Sequence, residues 1–352
     1  DPFRAVVKDG RIYGLGAADV KLDFLCKLKA LEKFVGRRFR NRFILLGTFG
    51  EEVGLIGAQA FLDEYPGPLD FALFGKPTSL KLVNRHKGRG CYEFRLPVDS
   101  QKEYAGVLTL EFRGESAHSS TPEKGKNAIE MALAYLSSLQ FPPAHAGISG
   151  GKLLNIVPES CRLVVPNTPE ILKSIDARSD IRRIDADSSG RLPVSAALLK
   201  FWSAVQDVRR GLPKDTTWVW ATAETKDGGF IFKFDSRFWE DAESIRDPDI
   251  WRLGPAECSV IRKTASFFET STAWYVEGIC GALEEVGLRP EFQTKTASTE
   301  AALFGQRCTS LVFGPGPSEG NVHRPNEYNL VSELETAVLA YESILRRLVA
   351  VP

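Results

Sequence analysis

Two kinds of hydrophobic spacing alternate along the first 85 residues of the chain. Short apolar runs end in polar or glycine-rich turns, and segments with apolar residues three and four positions apart follow them. This order is typical of strands that alternate with helices, and it predicts a doubly wound, mostly parallel sheet with helices on both faces. The predicted strands cover residues 11–15, 43–49, 70–74 and 80–84, and the predicted helices cover residues 18–35 and 54–62.

Two of these segments carry further expectations about burial. The run at residues 43–49 is apolar at most positions, which is typical of a strand buried on both faces. In the helix over residues 18–35, the apolar residues form one stripe that we expect to be buried. That stripe consists of Phe24, Leu28, Leu31 and Val35.

The C-terminal part of the chain returns to the same pattern. It predicts helices over residues 271–286 and 334–348 and a strand over residues 311–313. Ser332 and Glu335 have the spacing of a capping box, which would start the last helix. We expect the buried face of that helix to consist of Leu334, Val338, Tyr341, Leu345 and Leu348.

The middle of the chain has a different order, with more strands for each helix. We interpret it as an α+β unit, residues 86–260, inserted into an α/β domain made of residues 1–85 and 261–352. Residues 166–228 lack a clear period, and we interpret them as an atypical elaboration of the insert. The predicted strands of the insert are 107–113, 153–157, 161–165 and 230–238, and its helices are 127–139 and 194–208.

Composition places the chain among ordinary water-soluble proteins. Of its 352 residues, 43% are hydrophobic and 26% are charged, and 45 basic residues balance 45 acidic ones. This balance argues against a nucleic-acid partner, and no apolar run reaches the roughly 18 residues of a membrane span. The six cysteines are scattered without a paired motif, which predicts free thiols and a cytoplasmic protein.

Several polar side chains follow predicted strands closely enough to form a site. Asp19 follows a glycine-rich turn at the carboxyl end of a strand, where α/β sheets bind ligands, although it could also cap the next helix. Glu51 and Glu52 follow the strand at 43–49. Such a pair can divide metal binding from proton transfer, or it can be a solvated acidic turn.

Two histidines lie in loops that fit the same chemistry. His323 follows the turn at residues 314–316, and it can be a metal ligand or a surface histidine. His118 lies in a loop of small residues, where it could also satisfy only turn hydrogen bonds. Together, Asp19, Glu52 and His323 would form a catalytic Zn²⁺ site that activates water, with the Glu51 carboxylate beside it.

The chain resembles the zinc-dependent aminoacylase/carboxypeptidase family, which includes acetylornithine deacetylase, succinyl-diaminopimelate desuccinylase, aminoacylase and glutamate carboxypeptidase. Four sequence blocks carry the resemblance in order: residues 1–21, 47–54, 114–129 and 314–327. Residues 154–158 and 298–301 are weaker matches. The resemblance implies a catalytic α/β domain and an inserted ferredoxin-like lid that forms a homodimer.

The resemblance also implies a role for each candidate residue. Asp19 would bridge two zinc ions, for which Co²⁺ could substitute, and its peptide bond to Val20 could be cis. Glu51 would be the general base, whereas Glu52 and His323 would complete one metal site. In the lid, three further residues would act on the substrate: His118 would stabilise the oxyanion across the dimer, Asn155 would assist it, and Arg237 is a candidate partner for the substrate carboxylate.

The chain departs from the family pattern at two ligand positions. The family's first ligand lies in a His-x-Asp motif upstream of the Asp-Pro-Phe block, and this chain begins at Asp1, so we expect an N-terminally truncated sequence. The family's Gly-Glu-Pro-Thr supplies another carboxylate, and Lys76 takes that place here. We therefore hypothesise that Lys76 occupies the first metal position and pairs with Asp19 or Glu51, which leaves one or two metal ions per chain.

Three interpretations follow. The leading one is a metal-dependent hydrolase that cleaves the amide bond of an N-acyl amino acid or short peptide, without a nucleic-acid or membrane partner. The alternative is a non-catalytic or crippled relative that keeps the fold and the dimer but binds at most one metal ion. A generic α/β domain without a metal would require all four matching blocks to be coincidental.

Overall fold

The computed structural model describes residues 1–98, 100–140, 142–175, 178–239, 253, 256–269 and 274–349, with only the backbone of residues 185–188. The chain divides into two compact units. Unit 1 consists of Asp1–His86 and Phe267–Pro352, and unit 2 consists of Lys87–Ser266. These divisions lie close to the ends of the insert expected at residues 86–260.

The first part of unit 1 contains a hairpin followed by helices and strands. The strands predicted over residues 70–74 and 80–84 and the helix predicted over residues 54–62 are confirmed with small shifts in their bounds. The elements are β1 (Val6–Lys8), β2 (Arg11–Tyr13), α1 (Lys21–Glu32), α2 (Ile56–Glu64), β3 (Phe71–Gly75) and β4 (Leu82–His86).

Unit 2 is an α+β unit, as expected. Its elements are β5 (Gly88–Leu96), β6 (Gln101–Arg113), a 3₁₀ turn (Pro122–Lys124), α3 (Ala128–Ser138), β7 (Gly147–Gly150), β8 (Ser160–Pro166), α4 (Pro169–Ile175), β9 (Ile181–Pro193), α5 (Ser195–Gly211), β10 (Thr217–Lys226), β11 (Gly229–Phe238) and β12 (Glu257–Thr264).

The remaining elements complete unit 1. Residues 271–273 of the helix predicted over 271–286 lie outside the described residues. The elements are β13 (Phe267–Phe268), α6 (Trp274–Glu285), β14 (Phe292–Lys295), α7 (Ala301–Phe304), β15 (Thr309–Phe313), β16 (Tyr328–Leu330) and α8 (Val331–Leu348).

The main sheet of unit 1 is mixed, although the α/β class is confirmed. Its strand order is β13-β4-β15-β3, with β14 paired to β4. The β15–β3 and β14–β4 pairs are parallel, whereas β13 and β15 pair with β4 in the antiparallel sense. A second sheet, of order β1-β2-β16, brings the start of the chain beside residues 328–330.

Three long helices of unit 1 share a hydrophobic core with β15. Helices α1, α6 and α8 pack together, and Ile279, Leu283 and Phe313 are among their buried side chains. None of the described helices is both long and apolar enough to cross a bilayer. All six cysteines are free thiols, as predicted.

The described residues of unit 2 form one antiparallel sheet of eight strands, which is larger than a four-stranded ferredoxin-like core. The strand order is β12-β5-β11-β10-β7-β8-β6-β9. Helices α3 and α5 contribute to the core on this sheet, together with a dense set of aromatic rings. The Trp220 and Phe234 rings, for example, lie 4.4 Å apart between centroids.

The strand predicted over residues 43–49 is wrong. This stretch has no ladder partner among the described strands, and most of its side chains are exposed; Phe49 is 68% exposed. A strand needs a neighbour for its backbone hydrogen bonds and a second layer for its side chains. Instead, Phe49 O and Gly50 O accept hydrogen bonds from Gly57 N and Ile56 N at the start of α2.

Two expectations about unit 2 also differ from the structure. Residues 153–157 do not form a strand; only Ile156 bridges, to His118, because the neighbouring backbone groups bond to the His118 loop. Residues 166–228 supply β9, α5 and β10, so they belong to the sheet and core of unit 2.

Helix α8 begins without the predicted capping box. Strand β16 runs directly into it at Val331, and no side chain of the N-cap residue bonds to the helix. Ser332 is therefore already inside the helix. In the first turn of α8, the Glu333 carboxylate accepts a hydrogen bond from Gly316 N at 2.6 Å. Tyr341, Leu345 and Leu348 are buried as predicted, whereas Leu334 and Val338 are half-buried.

The predicted buried stripe of α1 is also wrong. Val35 is 83% exposed, whereas Asp23, Cys26 and Ala30 are buried. The reason is the packing of α1 against α8, which turns this other face inward. The Tyr341 hydroxyl donates to Asp23 Oδ1 at 2.5 Å, so a carboxylate takes a place that periodicity assigns to apolar residues.

Candidate metal centre

A buried carboxylate holds the turn that carries Asp19. Glu327 is 5% exposed, and its carboxylate accepts hydrogen bonds from Gly16 N (3.1 Å), Ala18 N (2.8 Å) and Asp19 N (3.0 Å). The pairing of β2 with β16 brings it there, and Gly16 takes a φ of +77° that suits glycine. The expected cis peptide bond between Asp19 and Val20 is present. Glu327 lies in the fourth sequence block, but sequence reasoning gave it no role.

The three predicted metal ligands lie close together. His323 Nε2 is 2.7 Å from Glu52 Oε1 and 3.9 Å from Asp19 Oδ2. One potential ligand atom from each residue lies within 4.8 Å of the other two. The hydrogen bond to Glu52 raises the pKa of His323, against the opposing effect of its partial burial.

This donor set fits a catalytic zinc ion. Two carboxylates and one imidazole are nitrogen and oxygen ligands of the kind that Zn²⁺ accepts, and a set of three leaves a position for water or substrate. The Glu52 side chain is 56% exposed and that of His323 is 36% exposed, so the position is accessible. The roles of these residues as ligands remain predictions.

Lys76 forms both of the ion pairs that the sequence left open. Its Nζ lies 2.7 Å from Asp19 Oδ1 and 2.9 Å from Glu51 Oε1, and its side chain is 9% exposed. Burial alone would lower the pKa of Lys76, but the two carboxylates outweigh that effect and raise it. Because Gly75 and Phe313 are register partners in parallel strands, Lys76 follows its strand at the edge where residue 314 leaves the sheet.

A second lysine belongs to the same group of charges. Lys295 ends β14, and its Nζ donates to Ser318 Oγ at 2.9 Å. Burial and the charge of Lys76 lower the pKa of Lys295 to about 8, although Asp19 and Glu51 act in the opposite direction. Sequence reasoning missed Lys295, because a lysine at the end of a short strand has no distinctive pattern.

A third carboxyl group lies near these charges. Glu300 precedes α7, and Thr48 Oγ1 donates to its Oε1 at 2.7 Å. Burial raises the pKa of Glu300; the Thr48 hydrogen bond opposes the rise, and the Glu51 charge adds to it.

In unit 2, the structure brings together the loops of the three lid candidates. Ser119 N donates to Asn155 O at 2.9 Å, directly after His118. Arg237 Nη2 donates to Ser119 Oγ at 3.3 Å. The long sequence separation of Arg237 from Asn155 is therefore closed by the pairing of β10 with β11 and β7, which brings β11 back to this part of the sheet.

His118 has a defined hydrogen-bond pattern at one ring nitrogen. Its Nδ1 accepts from Ser120 N at 3.1 Å and lies 2.8 Å from Ser120 Oγ. A backbone N–H can only donate, so in the neutral ring the proton lies on Nε2. His118 can thus present an N–H donor at Nε2.

Arg237 is buried in an ion-pair network. The Asp235 side chain is fully buried, and it accepts from Arg237 Nε at 2.7 Å and from Arg89 Nε at 2.7 Å. Ser119 Oγ donates to the same carboxylate at 2.9 Å. Burial alone would raise the pKa of Asp235, but the two guanidinium groups outweigh it and hold that pKa below its usual value.

The fold is shared with solved metallohydrolases and peptidases. Aminoacylhistidine dipeptidase from Vibrio alginolyticus matches 98% of this chain and 79% of its own, with a TM-score of 0.69 at 14% identity. The di-peptidase Dug1p from Saccharomyces cerevisiae gives a TM-score of 0.56 at 16% identity over 99% of this chain and 75% of its own. The metallo-carboxypeptidase Sso-CP2 from Sulfolobus solfataricus gives 0.53 at 17% identity over 98% of this chain and 79% of its own.

These features define a two-unit α/β protein with a candidate metal centre in unit 1. The model of peptidase family M20/M25/M40 matches residues 1–347, and the chain belongs to that family.

Sequence relatives include acetylornithine deacetylases. The one from Pasteurella multocida (strain Pm70) is 33% identical over 182 residues, 46% of this chain and 44% of its own length. The one from Proteus mirabilis (strain HI4320) is 30% identical over 220 residues, 56% of this chain and 53% of its own length. The chain thus spans about half the length of the curated relatives that it matches.

Proposed function

We propose that this chain is a metal-dependent hydrolase that cleaves the amide bond of an N-acyl amino acid or a short peptide. The carrying observation is the convergence of Asp19, Glu52 and His323, whose potential ligand atoms all lie within 4.8 Å of one another. Membership of the M20/M25/M40 peptidases and similarity to acetylornithine deacetylases support this proposal.

Asp19, Glu52 and His323 would hold Zn²⁺, with Co²⁺ as a possible substitute. A bound zinc ion supplies Lewis-acid polarisation of a carbonyl group and lowers the pKa of water to about 7. Glu51 is the proposed general base, because it adjoins Glu52 in sequence and shares the ion-pair partner of Asp19. It would take a proton from water and deliver it to the leaving amine.

Residues of unit 2 would bind the substrate and stabilise its charge. With Nδ1 occupied by Ser120 N, His118 can donate from Nε2 to an oxygen that becomes negative. We propose that Asn155 assists His118, because Asn155 O accepts a hydrogen bond from Ser119 N, the residue after His118. We propose Arg237 as a further substrate-binding residue of unit 2, because its Nη2 contacts Ser119, which follows His118.

Hydrolysis of N-acetyl amino acids and dipeptides with added Zn²⁺ or Co²⁺ tests the function. We expect Glu51→Gln to lower kcat by about 10²–10⁴-fold, because the amide cannot take the proton. Glu32→Gln is the matched control, since the Glu32 side chain is exposed and forms a local ion pair with Lys29. Unchanged turnover in Glu51→Gln would contradict the role of Glu51, and loss of turnover in both variants would point to a general defect.

A specific contact favours the alternative, a non-catalytic relative with at most one metal ion. Lys76 Nζ lies 2.9 Å from Glu51 Oε1, so the proposed base is already engaged by an ammonium group. The two functions differ in turnover at full metal occupancy. If wild-type protein and Lys76→Glu both bind zinc and neither hydrolyses N-acyl amino acids or short peptides, the chain is the non-catalytic relative and the proposed hydrolase function is wrong.

A further inference from the structure

Asp19 divides its two carboxylate oxygens between different partners. Oδ1 lies 2.7 Å from Lys76 Nζ, whereas Oδ2 faces His323 Nε2 at 3.9 Å. A carboxylate that bridges two cations presents one oxygen to each of them. In this chain one of those cations is already present, and it is the Lys76 ammonium group, which also contacts Glu51 Oε1 at 2.9 Å.

Lys295 adds a second positive charge on the same side. Gln293, two residues before it, donates to Thr78 O at 3.2 Å, which fixes β14 against the loop that follows Lys76. Lys295 Nζ is held by Ser318 Oγ at 2.9 Å, in the stretch of chain that leads to His323. Burial and the charge of Lys76 lower the pKa of Lys295, and Asp19 and Glu51 raise it, so the Lys295 ammonium group lies within electrostatic range of these three groups.

The charges of these four groups balance without any added ion. The ammonium groups of Lys76 and Lys295 together carry the charge of one divalent metal ion. The carboxylates of Asp19 and Glu51, both in contact with Lys76, carry the opposite charge. Metal ions in two-metal sites lie about 3.5–4 Å apart. A second metal ion bound to Asp19 Oδ1 and Glu51 would have to displace the Lys76 ammonium group, which lies 2.7 Å and 2.9 Å from these two carboxylates. The positive charge of Lys295 would also repel that ion.

We propose that Lys76 and Lys295 form a built-in dication in place of one metal ion, so that the chain binds a single metal ion, at Asp19, Glu52 and His323. The inference rests on the proposed function, since it concerns the same site. The metal centre would then be mononuclear, and Lys76 would hold both Asp19 and Glu51 in position.

Zinc stoichiometry, measured by native mass spectrometry and by titration of metal-free protein, tests this proposal. We expect the wild-type chain to bind one zinc ion. Lys76→Met keeps the length of the side chain but removes its charge, and it should bind a second zinc ion at least about tenfold more tightly than wild type does. Lys81→Met is the matched control, since Lys81 pairs with Glu291 at 2.8 Å on the surface, and it should bind one zinc ion.

Each result has a distinct meaning. Two zinc ions in wild type would overturn the dication but leave the proposed function standing. The absence of zinc binding in wild type would overturn the proposed function, and the dication with it. One zinc ion in wild type with an unchanged titration in Lys76→Met would overturn the role of Lys76.

Two further measurements keep the proposal testable if Lys76→Met does not fold. Lys295→Met should also strengthen binding of a second zinc ion, but by less than Lys76→Met, because Lys76 remains. An unchanged titration would show that Lys295 is not part of the dication. Wild-type protein loaded with Co²⁺ should give the electron paramagnetic resonance signal of an isolated ion. A spin-coupled pair of cobalt ions would overturn the proposal.

Discussion

At the scale of single residues, the site depends on side chains that bind no substrate themselves. Glu327 accepts three backbone N–H groups of the turn at residues 16–19 and so fixes the direction of Asp19. In unit 2, the Asp235 carboxylate similarly accepts hydrogen bonds from Ser119, Arg89 and Arg237 and so holds these three side chains together. Both carboxylates are buried and saturated with donors, which is the condition under which a buried charge is stabilising.

Glu327→Gln should weaken zinc binding by about 10–100-fold, as is typical when a group that orients a metal ligand is changed. The amide has only one acceptor atom in place of two carboxylate oxygens, so at least one N–H of the turn loses its partner. A zinc titration measures the effect, with Glu335→Gln on the exposed face of α8 as the control. Equal zinc affinity in both variants would show that Glu327 does not orient Asp19.

Asp235→Asn should destabilise the protein by about 3–5 kcal/mol at pH 7, because two buried guanidinium groups lose their anion. The folded-state pKa of Asp235 lies below its unfolded value. Its charge therefore contributes stability above the unfolded pKa of about 3.9, and that contribution is lost as pH falls through the lower folded-state pKa.

Urea unfolding of wild type and Asp235→Asn at pH 7 and near pH 3 checks this prediction. The difference between the two proteins should shrink at the lower pH. Asp180→Asn is the control, because its pair with Arg178 is partly exposed and should contribute about 0–1 kcal/mol. A difference between wild type and Asp235→Asn that does not change with pH would contradict the assigned charge.

At the scale of elements, hydrophobic periodicity along the sequence predicted most helices and strands. The other elements depend on which segments lie beside them in the fold. Helix α3 matches the prediction closely because Asn127 caps it, accepting from Ile129 N and Glu130 N. Residues 43–49 have the composition of a strand, yet no described strand pairs with them. A helix can satisfy its own backbone, whereas a strand requires a partner that its own sequence does not specify.

Asn127→Ala should destabilise unit 2 by roughly 1–2 kcal/mol, because the cap is lost and Asn127 Nδ2 no longer donates to Trp220 O. Asn127→Asp keeps the acceptor for the helix but loses this donor, so it separates the two contributions. Denaturant unfolding measures both variants. Stability equal to that of wild type in Asn127→Ala would contradict a capping role.

At the scale of the whole molecule, the two units hold different parts of the proposed chemistry. Unit 1 carries the proposed metal ligands and the base, and unit 2 carries His118, Asn155 and Arg237. Among the described strands, β12 and β9 form the two ends of the unit 2 sheet. Val260 and Ile261 on β12 are 46% and 45% exposed, so this edge offers both backbone and apolar side chains to a partner.

We therefore expect a homodimer formed through unit 2. Light scattering coupled to size-exclusion chromatography should give twice the mass of the chain, and Val260→Lys should shift the protein toward monomer by placing a charge at the edge. Val35→Lys is the control, since Val35 is an exposed valine of unit 1. A monomeric wild-type protein would contradict the dimer, and dissociation by both variants would contradict its location.

The sequence by itself determined the class of fold and which residues could bind a metal ion. Asp19, Glu52 and His323 were found from sequence because each follows a run or turn with a recognisable local pattern, and the four ordered blocks indicated the family.

Only the tertiary structure decided which charged side chains form ion pairs with one another. The sequence left open whether Lys76 pairs with Asp19 or with Glu51, and the fold pairs it with both. The burial of Asp235 between two arginines also depends on residues far apart in the chain. Hydrophobic periodicity reports on neighbours along one element, whereas ion pairing depends on distance and burial in three dimensions, which the folded chain alone sets.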